Sequence, residues 1–161
     1  MVNEFDEIVH LYKDRIFKML YMKVGNMEDA MDLTQDVFLK VYRALPGFRG
    51  DSNIYTWIYR IAINTANTFL KKRGRFQSSS IENMEDNSLK FNLNNEENLK
   101  TLLKSKIEEL PEHYKDVLLL HYFEGFDYKE IADVLGINIG TVKSRLFRAR
   151  ELLSQKMRRY L

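Results

Sequence analysis

Cysteine is absent from the 161-residue chain. That excludes a disulfide framework and any thiolate zinc site. The three histidines, His10, His113 and His121, are scattered without metal-ligand spacing, so no metal site is expected. No run approaches the ~20 apolar residues of a membrane span. Asn3, Glu4, Asp6 and Glu7 interrupt the apolar stretch that a secretory leader requires. The resulting expectation is a cytoplasmic protein with no direct membrane insertion. Missing too are a Ser-His-Asp arrangement, a phosphate-cradling glycine loop and paired acids with a basic partner. Glu28, Asp29, Asp32 and Asp36 do cluster, but near a helix start, where capping and protein contact explain them. No catalytic residue and no cofactor-binding residue is therefore expected, and the protein reads as a binder, not an enzyme.

Only two prolines interrupt the chain, and 30% of it is charged, which suits an all-helical protein. The net charge of +2 says little, but its distribution says more. Residues 136–161 carry seven cations against Glu151, a local +6. Residues 76–98 carry five acids against Lys90, a local −4. A second basic group, Lys71, Lys72, Arg73 and Arg75, stands just before that acidic stretch.

The most organised stretch is Asp127–Arg150. Asp127 and Glu130 have the spacing of a reciprocal helix cap, with Phe126 and Ile131 at the staple positions. Gly136 follows where a positive φ is cheap, and Asn138 caps a second helix, with Ile137 and Val142 as its staple. Ile131, Ala132 and Leu135 make the inner side of the first helix; Val142, Leu146, Ala149 and Leu153 make that of the second. Thr141, Ser144, Arg145 and Arg148 remain outward, with Lys143 and Arg150 at the flanks. This is a helix-turn-helix whose second helix suits a DNA major groove, where arginine bonds guanine bidentately. A helical hairpin with a merely solvated basic face is the plainer alternative.

Upstream, Phe5, Ile8, Val9, Tyr12, Ile16, Met19 and Leu20 form one apolar stripe ended by Gly25. A second helix follows the cap Asn26 and stops at Pro46-Gly47, with Ala30, Leu33, Val37, Phe38, Val41 and Leu45 as its stripe. A third starts after Ser52 and frays at Gly74. Phe48 to Asn53, with Tyr55, Trp57, Tyr59 and the basic tail beyond, interleave aromatics with cations. A single-stranded nucleic-acid surface needs that composition, although Trp57 can equally belong to the core. Residues 76–98 read as a flexible acidic linker. Helix resumes near Glu97 and leads to a four-helix C-terminal unit. The fold expected is all-α: two small helical domains, 1–75 and 99–161, loosely fixed to each other by the linker.

Two segments carry a family resemblance. One is Asp32-Leu-Thr-Gln-Asp-Val-Phe-Leu-Lys-Val-Tyr-Arg-Ala-Leu-Pro-Gly-Phe-Arg-Gly-Asp51 with Tyr55-Thr-Trp-Ile-Tyr-Arg-Ile-Ala-Ile-Asn64. The other is Leu110-Pro-Glu-His-Tyr-Lys115, then Glu124-Gly-Phe-Asp-Tyr-Lys-Glu-Ile-Ala132 and Gly140-Thr-Val-Lys-Ser-Arg-Leu-Phe-Arg-Ala-Arg150. Together they resemble the extracytoplasmic-function subgroup of bacterial sigma-70 factors, which keeps only the second and fourth conserved sigma regions. The resemblance covers nearly the whole chain except the linker.

It implies roles by position. Asp32, Gln35, Asp36, Phe38 and Arg43 would dock on core RNA polymerase at the β′ clamp, Phe38 serving as an aromatic anchor. Contact with the β subunit is implied as well. Phe48, Arg49, Asp51, Asn53, Tyr55, Trp57 and Tyr59 would capture unpaired −10 bases, one of them flipped from the stack. Asn64, Lys71, Lys72, Arg73 and Arg75 would follow the −10 duplex. Thr141, Lys143, Ser144, Arg145 and Arg148 would meet the −35 element of promoter DNA. The linker would thread the polymerase's RNA exit region, and an anti-sigma factor, often membrane-bound, would mask the polymerase-binding surfaces and hold the protein at the membrane. Met31, Tyr42, Thr68 and Lys71 depart from the residues common in the family. The alternative is a two-domain helix-turn-helix regulator with no polymerase role; the exposed Asp32/Gln35/Asp36 face argues against it.

Overall fold

The computed structural model of the chain describes residues 3–77 and 96–160, with the backbone alone for 75–77. The linker read at 76–98 falls mostly outside the described residues. Helix α1 (Glu4–Val24) starts where Asn3 accepts the Asp6 N–H at 2.8 Å and ends at Gly25, whose φ of 76° needs a glycine. Gly25 is doubly constrained, because an added Cβ would lie 3.1 Å from the Glu108 carboxylate. Helix α2 (Met27–Ala44) is capped by Asn26, which accepts the Asp29 N–H at 3.0 Å. A single 3-10 turn, Leu45–Gly47, carries the proline and closes the helix.

Helix α3 (Ile54–Gln77) is longer than its glycine suggests. It continues through Gly74 instead of fraying there. Glycine within a helix costs about 1 kcal/mol. The upstream apolar stripe, and an ion pair from Arg73 to Asp29 at 2.9 Å, hold the helix beyond that cost. Buried Ile58, Tyr59, Ala62, Ile63 and Ala66 on α3 pack with Ile16, Leu20, Ala30, Val37 and Val41 on α1 and α2 to form a three-helix group.

The C-terminal group starts within one residue of Glu97, where helix was expected to resume. Helix α4 (Glu96–Glu108) takes in residues read as linker. Helix α5 (Glu112–Leu118) follows Pro111 and then widens into a π turn over Leu119–Phe123. Burial is unbroken from Lys115 through Leu120, so the chain stays inside the core as it passes from α5 into the wide turn. Helices α6 (Tyr128–Leu135) and α7 (Ile139–Met157) complete the group. Among the described residues, no helix is long and apolar enough to cross a membrane.

The two groups are packed together, not loosely fixed. Their apolar cores join at Tyr59 and Phe126, whose ring centroids lie 4.9 Å apart. Beside this seam, Lys104 of α4 places its ammonium 3.4 Å from the centre of the Tyr21 ring on α1.

Phe38 lies in the apolar stripe of α2, as its spacing predicts, and not on the outward face that an anchor would occupy. It is only 7% exposed and belongs to the core. At 3.6 residues per turn it lies about 120° round the helix from Asp32. The apolar side chains on the outer face are Met31, Leu39 and Tyr42. Phe38→Ala is therefore expected to destabilise the N-terminal group by about 3–5 kcal/mol, read as a lower midpoint in urea denaturation. A variant as stable as the parent would contradict the core placement.

Candidate nucleic-acid and polymerase interfaces

Three sets of site residues come from three places in the fold. On α2, Asp32, Gln35, Asp36 and Arg43 are all exposed. Their spacing puts them on one stripe with Leu39 and Tyr42. The stripe is a polar rim with apolar centres, a composition that suits a protein partner. Phe38 is not on this stripe: it sits beside the acids in sequence but not round the helix, and it keeps the place in the apolar stripe that the spacing gave it.

The aromatic segment divides. Phe48 and Trp57 are half-buried and pack ring to ring, 4.8 Å between centroids. Arg49, Asp51 and Asn53 are exposed, and Asn53 donates to the Tyr55 hydroxyl at 3.1 Å. Tyr59 is fully buried, and its hydroxyl donates to Glu124 of the C-terminal group. Burial, with the Glu124 carboxylate beside it, pushes the Tyr59 phenol far above its ordinary value, so it remains a donor. The Tyr55 hydroxyl donates to Glu130, and that bond raises its pKa as well. Asn64, Lys71 and Lys72 are exposed on α3. Arg73 is half-buried in its pair with Asp29. The Arg75 side chain lies outside the described residues.

The helix-turn-helix follows its sequence closely. Asp127 accepts the Glu130 N–H at 2.8 Å, and Glu130 accepts the Asp127 N–H at 3.2 Å. Gly136 ends α6 with φ 66°. Asn138 accepts the Thr141 N–H at 2.8 Å and its hydroxyl at 3.0 Å, so Thr141 spends its hydroxyl on the cap and is half-buried. Lys143, Ser144 and Arg148 are exposed, and Arg145 is half-buried. Arg148 pairs with Glu151 at 3.2 Å, both about half-exposed, an interaction of little strength in water. Phe147, 68% exposed on the same helix, had no sequence signal, because one aromatic among cations fits either reading.

Two cavities border these surfaces. One, of about 900 Å³, lies between the groups; Asn64, Lys71 and Arg73 of α3 and Arg145 of α7 share it with Glu108 and Glu112. The other, of about 420 Å³, is an apolar groove bordered by Leu103, Ile107, Leu118, Phe123, Leu153 and Met157. Beneath the first cavity, Lys23 is wholly buried. It donates to Glu112 at 2.6 Å and to Asp116, and Asn67 also donates to Asp116, at 3.2 Å. Lys115, itself buried, donates to the Lys23 carbonyl at 3.2 Å and to Glu112 at 3.0 Å. Burial pushes the Asp116 carboxyl up, against the pull of Lys23. Glu112 is also penalised by burial, but the ammonium groups of Lys23 and Lys115 outweigh it and hold its carboxyl below the usual range. A signal for this cluster was present. Lys23 continues the Ile16, Met19, Leu20 stripe, and a cation on an apolar face must find buried acids.

A helical group joined to a helix-turn-helix with an outward basic face defines a two-part nucleic-acid-binding factor. Residues 8–76 match the family described as Sigma-70 region 2, and residues 100–153 match Sigma-70, region 4. The RNA polymerase sigma-H factor of Pseudomonas aeruginosa is 39% identical over 165 residues, spanning 95% of this chain and 86% of that protein. The ECF RNA polymerase sigma-E factor of Escherichia coli K12 is 38% identical over 167 residues, with the same shares. Among solved structures, the sigma factor RpoE of Bartonella quintana, in complex with the anti-sigma factor NepR, superposes with a TM-score of 0.75 at 25% identity over 96% of both chains. CnrH, in complex with the cytosolic domain of CnrY, shares the fold, with a TM-score of 0.71 at 22% identity over 94% of this chain and 85% of its own. The chain belongs to the sigma-70 family, in its extracytoplasmic-function subgroup. The region 2 match removes the reading as a regulator without a polymerase role.

The caps give a direct check. Asp127→Ala removes one side of the reciprocal cap and should lower stability by about 1 kcal/mol, seen as a lower denaturation midpoint with the helical signal retained at 25 °C. An unchanged midpoint would mean that water caps α6 equally well.

Proposed function

We propose that the chain binds core RNA polymerase through the outer stripe of α2 and directs it to promoters with two recognition elements. The observation that carries this reading is the separation of two exposed faces. The α2 stripe of Asp32, Gln35, Asp36, Leu39, Tyr42 and Arg43 has the make-up of a protein contact. The α7 face of Lys143, Ser144, Arg145 and Arg148 has the make-up of a major-groove contact. The division of labour is then residues 1–75 for polymerase and the −10 element, and 99–161 for the −35 element. Capture of unpaired bases falls to Phe48, Arg49, Asn53, Tyr55, Trp57 and Tyr59, with Asn64, Lys71, Lys72 and Arg73 along the backbone. Strand separation is then stabilised by binding energy: bases that leave the stack regain contact on aromatic rings. No bond is made or broken by the factor.

An anti-sigma partner belongs to the same proposal. The Bartonella quintana relative was solved with one. The apolar groove beside Phe123, a residue 49% exposed, fits the apolar face of an amphipathic partner helix.

Paired variants test the division. Arg148→Ala should lower promoter-dependent transcription roughly tenfold, the loss of about 1–3 kcal/mol expected for a base-contacting arginine, while polymerase affinity is unchanged. Asp36→Arg should weaken polymerase binding itself, measured by fluorescence anisotropy with labelled factor. Loss of polymerase binding in Arg148→Ala, or full binding in Asp36→Arg, would contradict the assignment.

A further inference from the structure

We infer that Met31, with Met27 one turn before it, is a reversible oxidation site, and that a sulfoxide there loosens the factor from core polymerase. The inference rests on the reading above for what the α2 stripe binds. Its own support is the placement of sulfur in the fold.

With no cysteine in the chain, methionine carries all of its sulfur. Among the described residues, Met19 and Met157 are buried and Met22 is half-buried. Met27 and Met31 alone among them are open to solvent, at 58% and 52% exposure. Where no thiol is present, the thioether is the sulfur that a peroxide attacks, and access decides which one reacts. An oxidant in solution therefore reaches α2 before the sulfur of the other described residues.

Both methionines stand on one side of that helix. They are four residues apart, so their side chains share a face. Gln35 continues the series by another four. Tyr42 lies about three whole turns beyond Met31 and points the same way. Met31 thus borders the stripe of Gln35, Leu39 and Tyr42, and with the last two it supplies the exposed apolar surface there. Asp32, Asp36 and Arg43 beside them are exposed as well. In a stripe of this make-up the few apolar side chains are the ones a partner covers. Methionine suits such a contact, because its unbranched chain and polarizable sulfur adapt to the partner's shape.

The chemistry is a two-electron transfer. The thioether sulfur gives an electron pair to one oxygen of hydrogen peroxide. An S–O bond forms and the O–O bond breaks. The transferred oxygen gives up its proton to the leaving hydroxide, which departs as water. Sulfur is oxidised and the peroxide is reduced. A dithiol reductase reverses the step, becoming a disulfide and releasing the oxygen as water. The product is a polar, chiral side chain where an apolar one stood. Covered by a partner that fits the thioether, its oxygen loses water without gaining a donor, and the contact weakens. In the free factor the same oxygen stays in water and enters no core.

The test uses the full chain, purified core polymerase and hydrogen peroxide. Fluorescence anisotropy with labelled factor reads affinity, peptide mass mapping locates oxygen uptake, and circular dichroism reports folding. Met27 and Met31 should gain oxygen before Met19, Met22 and Met157. The treated parent should keep its helical signal and bind polymerase roughly tenfold more weakly, about 1.4 kcal/mol. Methionine sulfoxide reductase should restore it. The double variant Met27→Leu/Met31→Leu, compared with its own untreated sample, should lose no affinity on the same treatment. That variant keeps Met1 and Met84, which lie outside the described residues, so an effect of oxidation there would show in it. Met31→Gln, which sets a polar group of similar length on the stripe without any oxidant, should bind more weakly than Met31→Leu. If the treated parent loses its helical signal, that last comparison decides. Oxygen taken up at both positions with affinity unchanged, an equal loss in the leucine variant, or Met31→Gln binding as tightly as Met31→Leu would overturn the inference. An untreated parent that fails to bind polymerase would overturn the functional reading, and this inference with it.

Discussion

Lys23 is the residue on which the arrangement of this molecule turns. A wholly buried ammonium group cannot stand alone, because leaving its charge unpaired in the interior costs several kcal/mol. Its acids, Glu112 and Asp116, come from a helix 89 and 93 positions further on, so satisfying one side chain docks one helical group on the other. Replacing such a pair with packed apolar residues is often neutral or better for stability. The pair therefore says more about which surfaces meet than about how firmly the molecule is folded. Once α1 and α5 are joined in this way, Phe126 reaches Tyr55 and Tyr59 on α3.

Helix ends were the most legible part of the sequence. The Asp127/Glu130 cap, the caps at Asn26 and Asn138 and the glycine stops at 25 and 136 all depend on neighbours within a few residues, so local chemistry decides them. The inner faces of α6 and α7 were legible for the same reason, and only Leu135 and Leu153 came out half-buried. The exposed acids of the α2 face were legible from their spacing. Phe38 was read both as part of the apolar stripe and as an outward anchor; its burial agrees with the first, and the second let position within a motif outweigh position round the helix. The continuation of α3 through Gly74 and the π turn after α5 were not legible, since tertiary packing overrides local propensity at both. The docking of the two groups had a sequence signal, a lysine on an apolar stripe. Its partners, however, lie far along the chain, and spacing alone does not pair them.

A factor of this kind does its work by distributing contacts, not by chemistry at a centre. The α2 stripe, the aromatic segment and the α7 face are each modest surfaces. Joined to polymerase they act at high effective concentration on one promoter, so weak individual contacts sum to selective binding.

This chain gives RNA polymerase its promoter choice. The most direct measurement is transcription in vitro with purified core polymerase, the factor and a genomic DNA library, with the RNA 5′ ends mapped. Discrete starts that depend on the factor and share two upstream sequence elements are the predicted result. Starts that are identical with and without the factor, together with no measurable binding to core polymerase, would contradict it.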